Sequence, residues 1–165
     1  RGDAQMLEDL AARDLGGLKF REKIALAVRL RLENADREAV RRGTTLLALP
    51  QNAPEAARAV WATADAIWNA LGDTSEDGNW YSKRAILSTV HSATVLFWLG
   101  DESEGYQDTW AFLDRRIENV MQFEATKARI KASPVLNPVL GLPFRLLESL
   151  KKPQGAGPMP GRWQG

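Results

Sequence analysis

Residues 85–100 read Ala-Ile-Leu-Ser-Thr-Val-His-Ser-Ala-Thr-Val-Leu-Phe-Trp-Leu-Gly, sixteen residues without a formal charge. A bilayer-spanning helix needs ~20 predominantly apolar residues, whereas this run is shorter and carries five polar side chains, Ser88, Thr89, His91, Ser92 and Thr94. It reads as the central buried helix of a globular domain, from about Asn79 to Leu99. Upstream, Asn52-Ala53-Pro54-Glu55 opens another helix, with proline in the first turn where its missing N–H does no harm. Ala57, Val60, Trp61, Ala64, Trp68 and Leu71 form one stripe along it, and Gly72 closes it. Downstream, a helix from about Gln107 to Lys131 aligns Trp110, Leu113, Ile117, Val120 or Met121, and Glu124.

The rest of the chain follows the same punctuation. Helices are predicted from Asp3 to Asp14, stopped by Gly16 and Gly17, from Leu18 to Asn34, and from an Asp36 cap to Leu49, ended by Pro50. No alternating strand pattern occurs, so the fold class is all-α, with the helices from 54 to 131 packed antiparallel through short loops. A chain starting at Arg1 reads as processed or trimmed. Residues 1–133 are assigned to one helical domain, 134–152 to a C-terminal amphipathic segment, and 153–165, with seven Gly or Pro, to a disordered tail in which Trp163 is solvated.

Composition narrows the chemistry. Across 165 residues, 22 Lys and Arg stand against 21 Asp and Glu, so no net field draws the protein to phosphate polymers and no nucleic-acid partner is expected. Cysteine is absent and histidine occurs once, which leaves little for zinc sites, di-iron sites or nucleophilic triads. Against this stand six tryptophans, so apolar binding is favoured over polar catalysis. His91 has no orienting carboxylate within a turn on its own helix and reads as a hydrogen-bonded core histidine. The echo of Leu71-Gly72-Asp73-Thr74-Ser75-Glu76 in Leu99-Gly100-Asp101-Glu102-Ser103-Glu104 suggests calcium loops. Their twelfth positions are Arg84 and Phe112 where a bidentate Glu is required, so neither metal nor cofactor is expected.

Two segments stay open on residues alone. Asp77-Gly78-Asn79-Trp80-Tyr81-Ser82-Lys83-Arg84 sets two adjacent aromatics beside two cations. Neighbours on a helix point about 100° apart, so one ring looks outward as a recognition patch, or the segment is ordinary N-terminal packing. In Pro134–Lys152, Val139, Leu140, Phe144, Leu146, Leu147 and Leu150 are apolar, and Arg145, Lys151 and Lys152 against Glu148 leave a local +2. This is an interfacial membrane helix or a final helix folded onto the core.

Asp65 in Thr-Ala-Asp-Ala-Ile-Trp, Gly72-Asp73-Thr74-Ser75, Asp77, Asn79-Trp80-Tyr81, Lys83-Arg84-Ala85, Trp98-Leu99, Asp101, Ser103, Thr109-Trp110, Phe112-Leu113 and Arg115-Arg116 together resemble the ninth Coq protein family, the lipid-binding accessory proteins of ubiquinone biosynthesis. The resemblance covers about half the chain, from Leu46 to Lys127. It implies a TetR-repressor-like helical ligand-binding domain, here without the family's N-terminal helix-turn-helix-like portion, and His91 where the family commonly has tyrosine. It also implies a non-enzymatic protein that binds an isoprenoid quinone or other lipid and works beside the demethoxyubiquinone hydroxylase. That hydroxylase would dock on Asp77, Asn79, Trp80, Tyr81 and Arg84, and the membrane surface on residues 137–152. Homodimerisation would use residues 79–99 and 107–131. Trp61, Trp68, Leu87, Leu96 and Trp98 are expected to wall the lipid cavity. The expected location is peripheral on the inner membrane, facing the cytoplasm in a bacterium or the matrix in a mitochondrion. A TetR-type regulator's ligand-binding half is the alternative.

Overall fold

A computed structural model describes residues 2–76 and 78–132, and they form an all-α fold with no strand among them. The helices are α1 (Gly2–Ala11), α2 (Phe20–Glu33), α3 (Arg37–Leu47), α4 (Ala53–Ala70), α5 (Gly78–Gly100) and α6 (Gln107–Ala132), with single 3-10 turns at Pro50–Asn52 and Glu104–Tyr106. Each predicted helix is present, with ends shifted by up to three residues. Asp36 caps α3 by accepting from the Glu38 and Ala39 backbone amides, and Gly72 leaves α4 at φ +78°, a conformation that glycine adopts without strain. Val139, Leu140, Phe144, Leu146, Leu147 and Leu150, with the rest of 133–165, lie outside the described residues, as does Asp77.

α4 and α5 make the most extensive pairing, antiparallel across the loop between them, and α6 returns along α5 while α1 and α2 close the remaining sides. The main core joins Met6 and Leu10 of α1, Ala27 and Val28 of α2, Ala64 and Ile67 of α4, Leu87 and Val90 of α5, and Leu113 of α6. A smaller cluster of Leu32, Trp98 and Leu99 sits at the far end of α5. Along α4 the buried stripe includes Thr63 and Ile67, while Ala57 is exposed, a small rotation from the predicted stripe. Thr63 is held inside because its hydroxyl donates to the Asp3 carboxylate at 3.0 Å, which also pairs with Arg31 at 2.6 Å.

The tie between α4 and α5 is a buried guanidinium. Arg84 is fully buried; its Nε donates to Asp65 Oδ1 at 2.5 Å, Nη1 to Asp73 Oδ2 at 2.9 Å and the Trp80 carbonyl at 3.2 Å, and Nη2 to Asn69 Oδ1 at 3.1 Å. Burial alone would raise the pKa of Asp73. Hydrogen bonds from Lys83, Ser75 and Arg84 outweigh it and hold this carboxyl well below the usual range. The repeated Gly-Asp-x-Ser is thereby explained without calcium: Asp73 accepts from the Ser75 backbone at 3.3 Å and Asp101 from the Ser103 backbone at 2.8 Å, two Asx turns of one design.

His91 is buried, as the charge-free run implied, but its Nδ1 has no hydrogen-bond partner, so the expected hydrogen-bonded state is corrected at that atom. Burial, reinforced by the nearby charge of Arg31 and opposed by Asp3, pushes its pKa down to about 4.

Arg84→Met is expected to cost about 3–5 kcal/mol in urea unfolding, because Asp65 Oδ1 and Asp73 Oδ2 both lose the guanidinium, leaving Lys83 as the remaining cation on Asp73. The single histidine gives a separate acid signature. Its pKa is lower folded than unfolded, so stability is full above pH 6.5 and falls as pH drops from there toward about 4. Thermal midpoints measured across that window should flatten in His91→Met; an unchanged slope would show that His91 is not the titrating group.

Candidate functional site

Between α2, α4, α5 and α6 lies a cleft of about 440 Å³, in the range of small-molecule sites. Phe20, Arg21 and Ile24 enter from α2 and Trp68 from α4; Asn79, Ser82, Lys83, Ile86, Leu87 and Val90 line it from α5, and Ile117, Val120, Met121 and Glu124 from α6. The α5 contribution is a single helical face, spaced by three and four residues. Trp68 forms the floor at one end: its Nε1 donates to the Lys83 carbonyl at 3.1 Å, its ring lies 5.3 Å from the Phe20 ring, and Lys83 Nζ stands 5.1 Å over it. The indole is thus fixed in orientation by one polar and two ring contacts.

Of the five residues expected to wall the cavity, Trp68 and Leu87 do so. Trp61, Leu96 and Trp98 do not. Trp61 packs against the rings of Trp80 at 6.0 Å and Tyr81 at 6.4 Å, with its Nε1 buried and unpartnered. Leu96 is 61% exposed, because it lies six residues past Val90 and so roughly 240° around α5 from the cleft face. Trp98 belongs to the far cluster, against Tyr106 and beneath Arg37. The unanticipated lining residues include the aliphatics Ile24, Ile86, Val90, Ile117 and Val120 and the polar Arg21, Ser82, Lys83 and Glu124. For those on α5 the sequence signal is the Asn79–Ser82–Lys83–Ile86–Leu87–Val90 face, spaced by three and four residues.

The expected partner patch is rearranged in the same way. Trp80 is buried beneath Arg84, whose guanidinium carbon lies 4.1 Å from the Trp80 ring, and Arg84 is spent inside the protein, so neither presents atoms to a partner. Tyr81 is half-buried in edge contact with Trp80 at 4.9 Å, and Asn79 is exposed at the cleft rim. No described helix is long and apolar enough to cross a membrane.

The COQ9 family model matches residues 53–124, a segment that holds every cleft residue except the three from α2. The chain is 37% identical over 92 residues to the rat protein named ubiquinone biosynthesis protein COQ9, mitochondrial, covering 56% of this chain and 30% of that one. The human protein of the same name is 34% identical over 92 residues, covering 56% and 29%. The Drosophila melanogaster one is 35% identical over 128 residues, covering 74% and 39%. The chain spans about a third of the length of these curated relatives. Through the segment that builds α4, α5, α6 and most of the cleft wall, the chain is similar to the COQ9 family.

Proposed function

We propose that this chain is a non-enzymatic accessory protein of ubiquinone biosynthesis that holds an isoprenoid quinone intermediate in the cleft and presents it to the demethoxyubiquinone hydroxylase at a membrane surface. The observation that carries this reading is the coincidence of the apolar cleft with the COQ9 segment, in relatives named for ubiquinone biosynthesis. The physical need is one of solubility. Each CH₂ of a polyprenyl tail is worth ~0.8 kcal/mol of burial, so a water-facing enzyme reaches the quinone ring only if another apolar surface receives part of the tail. The cleft's aliphatic wall offers that surface. His91 lies in the core and outside the cleft lining, which supports an accessory rather than a catalytic role.

The hydroxylase would meet the start of α5 at Asn79, exposed at the cleft rim, and at the solvent-facing part of the half-buried Tyr81. Membrane contact through residues 134–152 and a homodimer complete the reading. The relatives are named as mitochondrial, which supports a mitochondrial location in a eukaryote. There the protein would sit on the matrix face of the inner membrane, and in a bacterium on its cytoplasmic face. A TetR-type regulator draws no support from relatives that are all named for ubiquinone biosynthesis.

Organic extraction of the purified chain followed by mass spectrometry should release an isoprenoid quinone. Ile86→Trp, which fills the cleft from α5, should lower that yield severalfold with helical circular dichroism unchanged. Recovery of no isoprenoid lipid, or equal loading of the filled variant, defeats the proposal. Tyr81→Ala should weaken hydroxylase capture while lipid yield stays constant; unchanged capture removes Tyr81 from the docking surface.

A further inference from the structure

The cleft is polar at one end and apolar at the other, and the gradient is written twice. Along α5 the lining side chains run Asn79, Ser82, Lys83 in the first turns and then Ile86, Leu87, Val90. α6 runs antiparallel to α5, so its lining residues run the opposite way, Ile117, Val120, Met121 and then Glu124. Both polar stretches fall at the same end, where α5 begins.

The polar end has unused hydrogen-bonding capacity but no surplus positive charge. Lys83 Nζ donates to Asp73 Oδ1 at 2.8 Å and Ser75 Oγ at 2.6 Å, two of the three N–H groups of an ammonium, which leaves one. Ser82 Oγ donates to the Gly78 carbonyl at 3.1 Å, which leaves its lone pairs as acceptors. The charge of Lys83 is matched by Asp73, that of Arg21 by Glu118 at 3.5 Å, and Glu124 adds a carboxylate to the facing wall. A phosphate or carboxylate placed here would be desolvated against a rim whose cations are already matched, whereas a carbonyl, ether or hydroxyl oxygen meets a donor and an acceptor at no such cost.

We infer that the cleft takes its ligand in one orientation, with an uncharged oxygen-bearing head against Ser82 and Lys83 and an apolar tail along Leu87, Val90 and Ile117. The inference rests on the reading of the cleft as a lipid site and adds which residues select the head. Lys83 and Ser82 are specificity residues, and the ion pair to Asp73 aims the Lys83 ammonium.

Three probes sharing one tail test this by native mass spectrometry of the full chain: farnesol with a neutral head, farnesane with none, and farnesyl diphosphate with an anionic one. In the wild type, farnesol should bind tightest and the diphosphate weakest. Lys83→Met should weaken farnesol about tenfold and leave farnesane unchanged. Ser82→Ala, which spares the ion cluster, should weaken farnesol about threefold by the same comparison. Tighter binding of the diphosphate than of farnesol, equal losses for farnesol and farnesane, or no loss for farnesol in either variant overturns the inference while leaving a lipid cleft in place. Failure of all three probes to bind the wild type overturns the lipid reading itself and the inference with it.

Discussion

The buried guanidinium of Arg84 is the constraint on which the site depends. Taking a charge out of water costs several kcal/mol, and the cost is recovered only by close acceptors, which here meet four of the guanidinium's five N–H donors. Here Asp65 and Asn69 come from α4, Asp73 from the loop, and the Trp80 carbonyl from α5 itself. The four acceptors fix the loop's path and the register of α4 on α5 together. A slip of either helix would leave a carboxylate or the guanidinium buried and unpaired. The energetic role of the cluster is therefore to forbid other registers more than to add net stability.

That register decides which side chains reach the cleft. With Arg84 turned to α4, Lys83 is rotated by about 100° toward α6 and α2, where it stands over Trp68 and lines the opening. The two cations share Asp73, one on each oxygen. Adjacent residues of like charge thus have opposite fates, one sealed in the core and one at the cleft opening, joined by a single carboxylate. Asp73 keeps its charge because Lys83, Ser75 and Arg84 supply the hydrogen bonds that water would otherwise supply.

Helices, caps and the all-α class were legible in the sequence because they rest on local rules: Asp36 three residues before an amide, Pro54 in a first turn, glycine after an apolar run. The burial of His91 was legible from the charge-free run around it. Side-chain direction was less so. Trp61 and Trp98 were assigned to a cavity by size, yet a tryptophan is buried wherever a partner ring lies, and theirs are Trp80 with Tyr81, and Tyr106. Arg84 looked like surface because arginine is seldom fully buried. What buries it is acceptors at 65, 69 and 73, and their convergence depends on how α4 docks on α5, which no local pattern encodes.

The cleft's polarity follows from the same antiparallel geometry. A charged or hydroxylated residue near the start of α5 can keep contact with water, while residues two turns further in are covered by α6 and the main core. α6 meets the same limit from its other end, so Glu124 is tolerated where Ile117 is needed. An apolar cleft opening at the ends of two antiparallel helices is therefore amphipathic by construction. The particular sequence adds the balance of that polar rim: because Asp73 and Glu118 already match Lys83 and Arg21, the rim offers hydrogen bonds without a field, which is the physical basis on which the proposed site would select a head by its charge.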